Sequence, residues 1–227
     1  MSAKRTVRGR LLSLQGVELN ARQRIDAVDL LSRIPDRIAT MFWFDPQYRA
    51  VLDRLAFGNE GARQKGRSAL KSMTDGDIAF VVEEAARVLK PSGHLMLWTD
   101  KFSVASGHWQ QWRRRARHLE IVDMIAWNKM RIGMGRRARC VSEFLLILQK
   151  HPSRAKGIWT DHGIPDAWSE QSDRGIHPHA KPYCLTERLI RAATKRGDIV
   201  IDPCAGSYGV LTACLASGRT FIGGDLL

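Results

Sequence analysis

The chain has 227 residues, 44% hydrophobic and 26% charged, which suits one globular domain with a core large enough to hold a cofactor pocket. Lys and Arg number 36 against 23 Asp and Glu, and the net charge of +13 with a pI near 10.2 points to a polyanionic partner, either nucleic acid or an anionic membrane surface. No apolar run reaches the ~18 residues of a spanning helix and Met1–Arg10 lacks the apolar stretch of a signal peptide, so a soluble, cytoplasmic protein is expected; Cys140, Cys184, Cys204 and Cys214 show no CxxC pairing and the histidines no HExxH, so no metal site is expected.

In chain order, Ile38–Phe44 is an apolar run stopped by Asp45-Pro46 and reads as a buried strand. From Thr74 the spacing Ile78, Val81, Val82, Ala85, Val88, Leu89 predicts a helix, with Thr74 as N-cap, Asp77 three residues on, and Pro91-Ser92-Gly93 as the stop. His94–Trp98 reads as a strand, Ser106–His118 as a basic helix, Ile121–Trp127 as a strand, and Ser142–Gln149 as a buried strand after a Gly/Arg loop. Helix Thr186–Thr194, strand Ile199–Ile201, helix Val210–Ala216 and strand Thr220–Gly223 complete an alternating pattern. That alternation predicts an α/β domain with a mostly parallel sheet and helices on both faces.

Two segments carry chemistry. Strand Ile199–Ile201 runs through Asp202-Pro203-Cys204-Ala205-Gly206-Ser207 into a helix, and Asp225 follows the next strand. Glycine lets backbone approach a nucleoside ligand, and an acid after the next strand can accept ribose hydroxyls. The turn lacks a full GxGxxG, and Asp202 would repel a pyrophosphate. Adenosylmethionine carries no phosphate, while its ammonium and sulfonium are positive, so an acidic turn suits it electrostatically. Read alone, the loop is equally a sharp turn whose Asp caps a helix.

The second segment is Asp45-Pro46-Gln47-Tyr48 at the carboxyl end of a strand, where open α/β sheets hold ligands. An aromatic amine is a poor nucleophile because its lone pair is delocalised. The Asp45 carboxylate and the Pro46 carbonyl can accept its two N–H bonds and favour the electron-rich nitrogen of the transition state. Tyr48 can stack on a base extruded from a duplex. As an isolated tetrapeptide it is also compatible with an Asp-Pro turn and a packing tyrosine.

Together these motifs resemble the amino-methyltransferases of DNA, the adenine-N6 and cytosine-N4 enzymes, with their (D/N/S)-P-P-(Y/F/W) signature standing here as Asp45-Pro46-Gln47-Tyr48. The catalytic motif precedes the cofactor motif, as in the family's permuted beta class. Leu89-Lys90-Pro91-Ser92-Gly93-His94, Trp127-Asn128-Lys129 with Gly133-Met134-Gly135-Arg136-Arg137, and His177-Pro178 with Lys181-Pro182 are similar to further family segments. The resemblance runs from about Arg24 onward. It implies a Rossmann-like methyltransferase fold, a catalytic half over about residues 24–150, a short recognition segment over 151–176, and a cofactor half over 177–227. It also implies S-adenosylmethionine as cofactor, with Asp26 near its adenine and Asp45, Lys181, Pro203, Cys204, Ala205, Gly206 and Ser207 among the cofactor residues beside Asp202 and Asp225. Gln47 departs from the family's second proline, and the leading aspartate resembles the adenine-specific form.

The short recognition segment implies recognition shared with other parts of the chain or with a second copy in a homodimer. The expected contacts to double-stranded DNA are Gln47, Arg49, Arg63, Lys65 and Arg67, and Arg136, Arg137 and Arg139 in the glycine and arginine loop. Trp112-Arg113-Arg114-Arg115-Ala116-Arg117 is the densest basic run, which as a class is most often a solvated face. The expected reaction is methylation of the adenine N6 amino group, as in a bacterial or phage restriction-modification setting. Cytosine-N4 methylation, an RNA amine substrate and a non-catalytic nucleic-acid binder stay open as alternatives.

Overall fold

The computed structural model describes residues 14, 16–47, 72–133, 135, 137–171 and 180–226. They form helix α1 (Ala27–Ser32), strand β1 (Ala39–Phe44), helix α2 (Asp75–Val88), strand β2 (Leu89–Thr99), short helices α3 (Lys101–Ser106) and α4 (Trp109–Trp112), and strands β3 (Leu119–Gly133), β4 (Cys140–Lys150) and β5 (Ala167–Ser169). Helix α5 (Tyr183–Ala193), strand β6 (Ile199–Asp202), helix α6 (Gly209–Ser217) and strand β7 (Thr220–Gly223) follow.

One seven-stranded sheet has the order β5-β3-β4-β2-β1-β6-β7. Pairs β1/β2, β1/β6, β6/β7 and β3/β5 are parallel, while β4 runs antiparallel to both β2 and β3. The alternation of side chains along a strand sends successive residues to opposite faces. Phe42, Phe44, Leu95, Leu97 and Ile201 pack with α1, α2 and α4, whereas Met41, Trp43, Met96, Trp98 and Val200 pack with α5 and α6. Both faces are therefore covered, and β1 reads as a continuous apolar run because it has no wet side.

Helix α2 begins as its sequence predicts. The Asp77 amide donates to Thr74 Oγ1 at 3.1 Å and the Thr74 amide to Asp77 Oδ2 at 2.8 Å, a reciprocal capping box. The helix ends at Val88, and Pro91-Ser92-Gly93 form a bulge inside β2 rather than the helix stop, with a shift of register against β1 and Ser92 at φ 63°. Ser106–His118 is not one helix. Asp100 caps α3 through the Ser103 amide at 2.8 Å, Gly107 ends α3 at φ 70°, α4 spans one turn, and turns follow to residue 118. Sequence patterning misses α1 and β5 altogether: α1 is too short to show a period and β5 has only three residues. No helix among the described residues is long and apolar enough to cross a membrane.

Candidate active site

Strands β1 and β6 are parallel neighbours, with Met41 beside Val200 and Phe42 beside Ile201. Their carboxyl ends therefore lie together, and with them Asp45, just past β1, and Asp202, the last residue of β6. Beyond β7 the Gly224 amide donates to the Asp202 carbonyl at 3.2 Å and the Ala205 amide to the Gly224 carbonyl at 3.0 Å. A side chain at Gly223 would place its Cβ 2.2 Å from the Asp202 carbonyl oxygen, so glycine there lets β7 close on the loop. Asp225 then reaches back, its Oδ2 accepting from the Gly206 amide at 2.8 Å. Gly206 stands at φ 44°, and Tyr208, at φ 58° just before α6, donates its hydroxyl to the Gln23 carbonyl at 2.9 Å.

The loop is acidic and largely shielded at Asp202, Pro203 and Ala205. Asp202 is 3% exposed, and burial pushes its carboxyl well above the ordinary 3.8, helped by Asp45 and Asp225 and opposed by the Cys204 amide that donates to Oδ1 at 3.3 Å. Burial likewise pushes the Cys204 thiol well up, and Asp202, Asp225, Asp45 and Asp26 all add to that rise. Four carboxylates thus act on one small volume. Such a site is destabilised by its own charge and fits a cation-bearing ligand. The residues present therefore match the ammonium and sulfonium of adenosylmethionine, and do not match a pyrophosphate. Beside the loop lies an open cavity of about 750 Å³ bordered by Glu18, Gln23, Asp26, Asp29, Arg33 and Leu226. That volume falls in the ~300–1,000 Å³ span of small-molecule sites.

Asp45 meets a second charged group on the other side. Its Oδ2 lies 2.9 Å from Lys181 Nζ, which also donates to Glu143 Oε2 at 2.8 Å, while Glu143 Oε1 accepts from Lys129 at 3.2 Å. Lys181 Nζ sits 5.0 Å from the centre of the Trp98 ring. Burial alone would raise the Glu143 carboxyl, but the Lys181 and Lys129 ammonium groups outweigh it and hold the group at about 2. Burial would lower the Lys181 ammonium, and Asp45 and Glu143 raise it instead. Lys181 is fixed by the start of α5, whose Cys184 and Leu185 amides donate to the Glu170 carboxylate at 2.8 and 3.1 Å. Glu170 also accepts from Trp168 Nε1 of β5, so the edge strand anchors the start of α5, two residues after Lys181.

The structure thus brings together Asp45, Pro46, Lys181, Asp202, Pro203, Cys204, Ala205, Gly206, Ser207 and Asp225 at one edge of the sheet. Asp26 caps α1 through the Val28 amide at 2.8 Å and borders the adjoining cavity. Tyr48, Arg49, Arg63, Lys65, Arg67, Arg136, His177 and His179 lie outside the described residues. Gln47 is exposed, and Arg137 and Arg139 are exposed between β3 and β4. That hairpin extends beyond the end of β2, since Thr99 pairs with Phe144 while β3 and β4 continue to Gly133 and Cys140. The basic run sits elsewhere. Arg113 donates to the Leu119 carbonyl, Leu119 pairs with Lys150, and Lys150 donates to the carbonyl of Leu89, where β2 begins. Arg113, Arg114 and Arg117 border a hollow of about 450 Å³ at that opposite edge, away from Asp45. Sequence reasoning missed Glu143 as a member of the site. Its one available signal was a lone acid inside the apolar run Ser142–Gln149.

Comparison with known proteins agrees with this geometry. A profile of the DNA methylase family matches residues 78–226. Type II methyltransferase M.HhaII of Haemophilus parahaemolyticus is 44% identical over 210 residues, covering 92% of each chain. DNA adenine methyltransferase YhdJ of Escherichia coli K12 is 51% identical over a stretch of 47 residues, 21% of this chain and 16% of that one. The crystal structure of the M1.HpyAVI–SAM complex superposes with a TM-score of 0.62 at 19% identity, covering 89% of this chain and 90% of that one, and shows the shared Rossmann-like fold.

Proposed function

The chain belongs to the DNA methylase family, and from that membership together with the acidic cleft we propose that it transfers the methyl group of S-adenosylmethionine to the N6 amino group of adenine in duplex DNA. The observation that carries the reading is the meeting of Asp45 with the Asp202–Ser207 loop and Asp225 at the ends of β1, β6 and β7. When bound, the cofactor supplies an electrophilic methyl, and the amine forms the N–C bond as the C–S bond breaks and its electron pair returns to sulfur. The Asp45 carboxylate and the Pro46 carbonyl accept the N–H groups of the incoming amine, and Asp45 takes the departing proton and passes it to solvent. Asp202 and Asp225 hold the cationic and ribose portions of the cofactor, with Asp26 at the adenine end. Lys181 acts on Asp45.

Adenine is favoured over cytosine by the aspartate that leads the motif and by the local likeness to a named adenine enzyme. The amine cannot be reached inside a stacked duplex, so the base is flipped, with Tyr48 as its stacking partner. The hairpin with Arg137 and Arg139, which projects past the site, holds the flanking DNA. Arg136, Arg49, Arg63, Lys65 and Arg67 add contacts, and a second copy of the chain completes the recognition surface. A restriction-modification role follows the type II name of the relative. The test is nucleoside mass spectrometry of duplex DNA incubated with S-adenosylmethionine and either wild type or Asp45→Ala. N6-methyladenine with wild type alone is expected. N4-methylcytosine would correct the base, and no methylated base on varied DNA would overturn the reading.

A further inference from the structure

Asp45, Lys181, Glu143 and Lys129 form a line of alternating charge drawn from four places in the chain: the end of β1, the approach to α5, β4 and β3. The Lys181 ammonium divides its donors between two carboxylates at 2.9 and 2.8 Å with the Trp98 ring beneath it. Side-chain exposures of 18% for Lys181, 28% for Asp45 and 29% for Glu143 leave the line mostly out of water. Its formal charge is zero. Resting on the methyl-transfer reading above, we propose that Glu143 is a positioning residue for Asp45: it holds Lys181 so that Lys181 in turn fixes the carboxylate that receives the target amine.

Two steps of the reaction create the need. A positive methyl donor enters a site already containing the Lys181 ammonium, and without the Glu143 charge to hold it the Lys181 side chain would shift away and leave Asp45 misplaced. Asp45 then becomes neutral as it takes the amine proton, and its attraction for Lys181 falls. With Glu143 in place Lys181 keeps a full counter-charge through both steps, so it is neither displaced by the cofactor's positive charge nor released from the Asp45 side chain. Glu143 in turn is held by Lys129, which answers its second oxygen at 3.2 Å. Glu143 touches neither reactant and acts only through Lys181.

The test uses the full chain, tritiated S-adenosylmethionine and duplex DNA, with single-turnover rates and cofactor Kd measured separately. Glu143→Gln keeps the shape and removes the charge. We expect its rate at saturating cofactor to fall by about 10²-fold, the order caused by misplacing a reacting group, with cofactor Kd within about threefold of wild type. Glu143→Asp, which keeps the charge on a shorter stem, should recover part of the rate, as a purely packing role would not. Since Glu143→Gln leaves Lys129 without its partner and can fail to fold, Glu143→Gln/Lys129→Met removes both members and stays neutral. That double variant should remain slow. A Glu143→Gln rate close to wild type, a double variant restored to the wild-type rate, or a loss confined to cofactor Kd would each overturn the proposal. A wild-type chain that methylates nothing would instead refute the functional reading, before any variant is measured.

Discussion

Replacing Glu143 by Gln should cost stability in a manner that depends on pH. The native carboxyl is held at about 2 against an ordinary 4.5, because two ammonium groups overcome the cost of its burial. At about 1.4 kcal/mol for each tenfold change in proton affinity, that depression corresponds to about 3 kcal/mol. The 29% of the side chain still in contact with solvent lowers the expectation to about 2 kcal/mol. The sign follows from linkage. A carboxyl that is more acidic when folded stabilises the fold above the unfolded value of 4.5, and the contribution disappears as pH falls from 4.5 to about 2. Glu143→Gln should therefore melt about 4–8 °C below wild type at pH 7, given a shift of about 2–4 °C per kcal/mol for a chain of this size. The two urea curves should converge as the pH is lowered from 4.5 toward 3. A difference below about 0.5 kcal/mol at pH 7, or one that stays constant on acidification, would show that the Lys181 and Lys129 pairs do not control this carboxyl.

Asp45→Ala should abolish methyl transfer with cofactor Kd nearly unchanged, whereas Asp225→Ala should weaken cofactor binding about tenfold or more by removing a polar contact and loosening the Gly206 turn; equal loss of binding in both would refute that division. Because the buried Asp202 carboxyl is raised and a cation favours its ionised form, S-adenosylmethionine should bind more tightly as pH rises, by up to about tenfold per pH unit over the range where Asp202 titrates. Calorimetry in buffers of different ionisation heat should register one proton released, and Asp202→Asn should remove that slope while stabilising the ligand-free chain. Thr74→Ala should cost about 1 kcal/mol through loss of the α2 capping box, measured by urea denaturation. DNA affinity should fall steeply with salt on a log–log plot; a flat response would remove phosphate contacts from the account.

Much of the site was legible because its chemistry is local. Asp45-Pro46 and the Asp202–Ser207 loop each occupy a few consecutive residues at a strand end, and alternation of strands and helices tells that such ends share one edge. The start of α2 was legible for the same reason, since Thr74 and Asp77 complete a box within one turn. What was not legible depends on distant partners. Nothing near Glu143 in sequence says that it faces a lysine 38 positions away. The resemblance of His177-Pro178 and Lys181-Pro182 to a family segment places Lys181 among the cofactor residues, and only the tertiary fold puts its ammonium on Asp45. The basic stretch after Ser106 misled because arginine favours a helix at every position, while Gly107 ends one in a left-handed conformation that charge patterning does not reveal. The antiparallel course of β4 was hidden for a related reason: a buried apolar run looks the same in either direction.

The strand order has a consequence for how the enzyme comes into being. Asp45 directly follows a strand made early in synthesis, and the loop it must face arrives on β6 and β7 more than 150 residues later. Closing so large a span delays the pairing of β1 with β6 relative to the hairpin of β3 and β4, which needs only a short loop. A ribosome-bound chain lacking β6 therefore holds Asp45 without the acidic loop, and the proposed reaction requires both. The same separation makes the enzyme divisible: a cut between β4 and α5 parts the two halves of one reaction, and activity regained on mixing them would report the docking of β6 against β1.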